Sequence, residues 1–176
     1  MQKGKLSAGQ KKDFENSFTL ADPQLWDVDK GVMYTVKTLI RINGQLVDEQ
    51  QIPFGIRSMR FTADDGFYLN DRRVQLKGVC LHHDHGPLGA AFYPRAMERQ
   101  LELLKEMGCN AVRTSHNVAA PELLELCDRM GILVFDEIFD KYDRKADIVD
   151  TTDFEAFAHR NVRNFVKRDR NHPSIF

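Results

Sequence analysis

Hydrophobic and polar positions change their period once along the chain. From Asp13 to about Phe61 the repeat is two residues. Val32, Tyr34, Val36, Thr38 and Ile40 fall on one side, and Met33, Thr35, Lys37, Leu39 and Arg41 on the other, as in strands whose successive side chains point to opposite faces. Asn43-Gly44 predicts a type I′ hairpin turn leading into a second strand, Leu46 to Ile52. Three or four antiparallel strands fit here, against the roughly seven of an immunoglobulin-type sandwich. The sandwich is therefore expected to be partial and to lack its N-terminal side.

After Ala63-Asp64-Asp65-Gly66 a short hairpin is predicted, Phe67 to Leu69 with Val74 to Leu76, turned by Asn70-Asp71. Strands then alternate with helices. Val74 to Leu81 reads as a strand. Pro94 suits the first position of a helix with Met97, Leu101, Leu104 and Met107 on its apolar face, stopped by Gly108. Ala111 and Val112 lead a second strand into Arg113-Thr114-Ser115-His116. Pro121 starts a helix that turns Leu123, Leu124, Cys127 and Met130 inward, and Gly131 stops it before the buried strand Ile132 to Phe135. A third helix opens with Thr152 and Glu155 as a capping box and is expected to bury Phe154, Phe157, Val162, Phe165 and Val166. Asn171-His172-Pro173 ends it, and Ser174 to Phe176 begins a fourth strand. Three β-α units and the start of a fourth fit either an eight-stranded barrel or an open doubly wound sheet. No glycine-rich phosphate-binding motif follows any strand, which favours the barrel.

Composition narrows the function classes. Among 176 residues, 25 Lys+Arg against 26 Asp+Glu give a net charge of -1, so no global basic field invites nucleic acid or an anionic membrane. With 42% hydrophobic and 29% charged residues the chain has the make-up of a globular protein with a real core. Ile132 to Phe135 is far short of the ~20 apolar residues that span a bilayer. The residues after Met1 carry positive charge but no apolar run of the signal-peptide kind, which leaves cytoplasm and periplasm both open. Cys80, Cys109 and Cys127 are odd in number and sit in periodic segments. They are expected to be reduced, mostly buried thiols rather than a disulfide framework or zinc site.

Polar residues collect at all three strand ends. The first closes with His82-His83-Asp84-His85, the second with Arg113-Thr114-Ser115-His116, the third with Asp136-Glu137, and the C-terminal ends of strands form the ligand face of a barrel. A metal could be held by alternate members only, because neighbours on a strand face opposite ways. A serine hydrolase built on Ser115 lacks a nucleophile elbow. Polyol recognition suits the mixture best, since imidazole, carboxylate and guanidinium groups match hydroxyls that both donate and accept.

The residues in these stretches carry a family resemblance. Phe54-Gly55-Ile56-Arg57, Gly66 to Asn70, Leu76 to Asp84, Asn110 to Asn117, Leu126 to Gly131, Asp136-Glu137 and Arg168 to Ser174, in this order and spacing, resemble glycoside hydrolase family 2, with β-galactosidases as the nearest kin. The resemblance implies a partial immunoglobulin-like β-sandwich over 1–62, followed over 63–176 by the N-terminal part of a TIM (β/α)8 barrel that hydrolyses β-glycosides with retention. Carried over by motif, His82, Arg113 and His116 line the sugar subsite, and Asp84, Asp136 and Glu137 support it. Some members place a metal near the acid/base through an acid and a His soon after the acidic pair. Asp140-Lys141-Tyr142-Asp143 offers no such His, so neither metal nor cofactor is expected, and Asn117-Val118 replaces the usual Asn-Pro.

Retaining hydrolysis uses two carboxyl groups about 5 to 5.5 Å apart. In this family the acid/base belongs to a Trp-x-x-Gly-Asn-Glu segment on strand four and the nucleophile to strand seven, both expected beyond Phe176. The chain as given is therefore expected to be inactive alone and, with open sheet edges, marginally stable or in need of a complementing segment. The partners implied are a β-glycoside or oligosaccharide in the full-length enzyme and, as an option, further copies in a homo-oligomer. Nucleic acid and membrane are not among them. The alternative is a non-catalytic module that keeps a carbohydrate- or partner-binding face. Trp26, the sole tryptophan, is expected to pack in a core or domain interface rather than to serve as a sugar platform.

Overall fold

The computed structural model describes residues 2–140 and 154–176. Strands β1 (Tyr34–Ile42) and β2 (Gln45–Phe54) form an antiparallel hairpin. Asn43 and Gly44, both at positive φ (50° and 87°), make the expected turn, and the register slips between Ile40 and Arg41. Neither face of the hairpin is covered by a second sheet among the described residues, so its apolar positions stay open: Ile40 is 50% exposed and Val47 53%.

Strands β3 (Met59–Thr62), β4 (Gly66–Leu69) and β5 (Arg72–Arg73) form a small antiparallel sheet that crosses residue 62. Asn70 and Asp71, with φ of 50° and 60°, turn β4 into β5 as predicted. The returning arm is Arg72–Arg73, not Val74 to Leu76. Residues 74–77 are diverted instead by Asn110, whose side chain donates to the Gln75 carbonyl and accepts from the Lys77 amide. For the same reason the next strand, β6, runs only from Gly78 to His82 and does not begin at Val74.

From β6 onward the chain alternates: α1 (Pro94–Glu106), β7 (Ala111–Ser115), α2 (Pro121–Met130), β8 (Leu133–Phe135) and α3 (Phe154–Asp169). The strands β6, β7 and β8 lie parallel in sequence order, and Ile175 bridges to Val134 as the start of a fourth. Both earlier helices have proline in the first turn, and Gly131 closes α2 in the left-handed conformation. Gly78 must be glycine for another reason, since a Cβ there would lie 2.7 Å from the Ala111 carbonyl oxygen on the neighbouring strand.

One core lies between the sheet and the helices, with Leu81, Val112 and Val134 from the strands against Met97, Leu101, Leu123, Leu124 and Cys127. Met107 does not join it and is 75% exposed, because α1 ends at Glu106 before the apolar stripe returns to the sheet. Cys80 is exposed and Cys109 half-buried, so only Cys127 is a core thiol, although all three are free. Cys80 alternates with Leu81 and so stands on the strand face opposite the helices.

The apolar stripe of α3 is not buried either. Val162 is 42% and Val166 52% exposed, and Phe154 and Phe157 meet mainly Phe139. Periodicity marks which residues want cover, and among the described residues no element packs over this stripe. Thr152 of the expected capping box lies outside the described residues.

A second core surrounds Trp26 and joins the N-terminal segment to the strand starts, with Phe67, Leu69, Val74, Ala111 and Leu133 packed together. Trp26 is fully buried and donates its indole N–H to the Asp128 carbonyl, 2.7 Å away. The Asp128 carboxylate accepts from His172 Nδ1 at 2.6 Å and from the Ser174 amide at 3.1 Å. Arg57 adds donors to the Pro173 and Ile175 carbonyls. The chain approaches so closely here that a Cβ on Gly55 would stand 2.6 Å from Pro173 Cγ, and one on Gly31 2.2 Å from the Arg129 carbonyl oxygen.

Candidate sugar site at the strand ends

Three parallel strands ending side by side bring their last residues together. His82 pairs in register with Ser115, and Arg113 with Phe135. Arg113 and Phe135 therefore share one face, while Thr114, between Arg113 and Ser115, turns to the other. Glu137, two residues beyond Phe135, reaches back over the sheet. Arg113 Nε and Nη2 both donate to Glu137 Oε1, at 2.8 and 2.5 Å. The other carboxylate oxygen, Oε2, lies 3.1 Å from His116 Nδ1, and Arg113 Nη2 is 3.4 Å from the same nitrogen. The His82 ring meets the His116 ring edge to face, with centroids 5.3 Å apart.

His82, Arg113, His116 and Glu137 thus form one contiguous group. The Glu137 side chain is largely buried, whereas those of Arg113 and His116 are more than a third exposed. A carboxylate held by two donors fixes the guanidinium and imidazole planes while their outer edges stay open to a ligand. Arg113 also lies 3.5 Å from Cys80 Sγ, and the neighbouring Ser115 and Arg113 hold the Cys80 thiol below the ordinary thiol range.

Asp84 is not part of this group. It is exposed, and its carboxylate accepts from the Gly86 amide at 3.3 Å in the turn after β6. His83 and His85 likewise stand apart, His85 against Phe92. Asp136 turns to the opposite face from Glu137, as expected of adjacent residues. Its Oδ1 accepts from the Thr114 hydroxyl at 3.0 Å, and that hydroxyl accepts from the Glu137 amide at 2.8 Å. Burial pushes the Asp136 carboxyl up to about 6, with the Asp169 carboxylate adding to the rise and Thr114 and Arg168 opposing it.

Sequence reasoning missed Thr114, Cys80 and Asp169. Thr114 carries a signal in retrospect, as a hydroxyl on the buried face between Arg113 and His116. Asp169, on α3, lies in the Arg168 to Ser174 stretch that carries the family resemblance, where it is assigned no role. Among the described residues, no three His, Cys, Asp or Glu side chains gather about a point that could hold a metal ion, and no helix is long and apolar enough to cross a membrane.

Known proteins share the sequence and fold of this chain. The family model described as glycosyl hydrolases family 2, TIM barrel domain, matches residues 61–176, and that for glycosyl hydrolases family 2 matches residues 1–57. The β-galactosidase BoGH2A of Bacteroides ovatus is 47% identical over 98% of this chain and 20% of its own length. A β-glucuronidase of Streptococcus agalactiae is 33% identical, over 95% of this chain and 29% of its own length. Among solved structures, a β-glycosidase from Bacteroides vulgatus superposes with a TM-score of 0.81 at 41% identity, covering 88% of this chain and 20% of that one. The chain spans about a fifth of the length of the curated β-galactosidase it matches. With both family models matched in sequence order, and with parallel strands and helices alternating as that barrel begins, the chain belongs to glycoside hydrolase family 2.

Proposed function

We propose that this chain is the opening part of a retaining glycosidase that cleaves terminal β-glycosides, with β-galactosides the favoured substrates. In this reading the sandwich part ends near residue 62 and the barrel part follows. His82, Arg113 and His116 contact the sugar. Glu137 holds Arg113 and His116 in place, Asp136 supports Glu137 from beneath, and Asp84 shapes the turn after β6. The observation that carries the reading is the convergence of imidazole, guanidinium and carboxylate on Glu137 at the C-terminal ends of adjacent parallel strands. The relative at 47% identity, named as a β-galactosidase, supports the choice of sugar.

These 176 residues alone do not hydrolyse glycosides in this reading. Asp136 and Glu137, at the end of β8, face opposite sides of the sheet and cannot act as the two carboxyls flanking one bond. The test is kinetic. In the native gene product, Arg113→Ala is expected to lower kcat/KM on an aryl β-galactoside by about 10²-fold, the scale of losing a charged contact to substrate. An unchanged kcat/KM would remove Arg113 from the sugar site. Hydrolysis by the 176-residue chain that disappears in Glu137→Gln would overturn the assignment of inactivity.

A further inference from the structure

Arg113 is not held by Glu137 alone. The two nitrogens that Arg113 offers Glu137, Nε and Nη2, converge on the single oxygen Oε1, which leaves the guanidinium a pivot about which it can rock. Nη1, at the far corner, has a different partner and donates to Cys80 Sγ, 3.5 Å away. The backbone explains why the two meet. Cys80 on β6 is the register partner of Arg113 on β7, so the two side chains leave the sheet side by side on one face. Ser115, opposite His82, shares that face. Ser115 and Arg113 lower the thiol, with desolvation and the Glu137 charge opposing them, and a sulfur with more thiolate character is the stronger acceptor. Packing gives no reason for a cysteine here, since Cys80 is exposed and joins neither hydrophobic core.

We infer that Cys80 is a positioning residue of the candidate sugar site, whose sulfur accepts from Arg113 Nη1 and keeps the guanidinium from turning on Glu137. Arg113 stands on the middle strand of three and is held from both neighbours, by Cys80 of β6 and by Glu137 after β8. Nη1 carries two N–H groups. Sulfur takes one, and its grip sets the direction in which the other is offered to a ligand hydroxyl. Cys80 acts through Arg113 and does not itself touch the sugar. What Arg113 touches rests on the proposed function; the contact between Cys80 and Arg113 does not.

Two measurements on the native gene product test the two parts separately. The contact is read by iodoacetamide labelling of Cys80, followed by mass spectrometry, in the wild type and in Arg113→Met, which keeps bulk but has no donor. Cys80 is expected to react about threefold more slowly in the variant at pH 7, while Cys109 keeps its rate. An unchanged or faster rate at Cys80 would overturn the contact. The positioning role is read by kinetics on an aryl β-galactoside with Cys80→Ala, Arg113→Ala and the double variant. Cys80→Ala is expected to lower kcat/KM about fivefold, the scale of one hydrogen bond, and to do so through KM, because the sugar is bound before it reacts. In the Arg113→Ala background the same change should cost less than about twofold, since the residue it acts through is gone. Equal losses in both backgrounds, a loss confined to kcat, or no loss at all would overturn the positioning role. A wild-type protein that hydrolyses no aryl β-glycoside would instead overturn the proposed function, and the labelling rates would still decide the contact.

Discussion

Replacing Asp128 by alanine removes the carboxylate that ties the end of α2 to the start of the fourth strand. The wild-type carboxylate is almost wholly buried and accepts from His172 Nδ1 at 2.6 Å and from the Ser174 amide at 3.1 Å. Ser174 is fully buried, so its amide cannot turn to water when the acceptor goes. An unsatisfied buried donor costs about 1–3 kcal/mol, and a hydrogen bond to a charged group contributes about 1.5–3 kcal/mol. The expected loss is therefore about 3–5 kcal/mol, in line with breaking a buried pair and a large share of the ~5–15 kcal/mol that holds a typical domain. Urea unfolding followed by Trp26 fluorescence reads it directly, because the indole bonds to the main-chain oxygen of residue 128, which alanine retains.

Asp128→Asn separates charge from packing. It keeps an acceptor for Ser174 and should lose roughly half as much stability. Burial alone would lower the His172 imidazole, but the Asp128 hydrogen bond and charge, helped by Asp169 and Glu125, raise it above the ordinary histidine value. A raised folded value means that the proton is bound more tightly in the folded chain. The stabilisation is complete below the ordinary histidine range and lost as pH rises through the folded value. The asparagine variant should lack that component of the slope. A loss under about 1 kcal/mol for Asp128→Ala, or an unchanged slope for Asp128→Asn, would refute the account.

Three further outcomes follow from the same reasoning. Asp136 is raised to about 6, so its penalty is absent below the ordinary aspartate value and fully present above 6; Asp136→Asn should then stabilise the chain at pH 8 by about 1–2 kcal/mol, discounted for its partial exposure, but not at pH 4, as measured by paired urea curves. Gly31→Ala should cost about 3 kcal/mol in the same assay, because the new methyl would meet the Arg129 carbonyl oxygen at 2.2 Å and backbone has to move; a change under about 0.5 kcal/mol would count against that contact. Iodoacetamide followed by mass spectrometry should alkylate Cys80, exposed and lowered by Ser115 and Arg113, well before Cys127, which burial pushes up. Equal labelling rates in the folded chain would contradict the placement of Cys127.

What could be read from the chain divides by the range of the interaction. Pro94 and Pro121 as helix starts, Gly131 as a left-handed stop, and Asn43-Gly44 and Asn70-Asp71 as turns are local choices, and the structure places each where the sequence does. His82, Arg113, His116 and Glu137 were legible because strands end where apolar runs stop. The diversion of residues 74–77 was not, since it depends on one asparagine more than thirty positions away. Nor were the partners of Asp128, 44 to 102 residues distant in sequence. The stripe on α3 shows the converse limit, because periodicity identifies an apolar face and says nothing of what comes to rest on it.

The Trp26–Asp128–Ser174 junction lies where the strands begin, whereas Arg113, His116 and Glu137 lie where they finish. Anchorage and, under the proposed function, recognition thus occupy opposite ends of the same short sheet, separated by the length of β7 and β8. Side chains at the mouth can then be exchanged with no demand on the floor, and the floor can be reinforced with no change at the mouth. For anyone reshaping this scaffold, the two ends are independent handles.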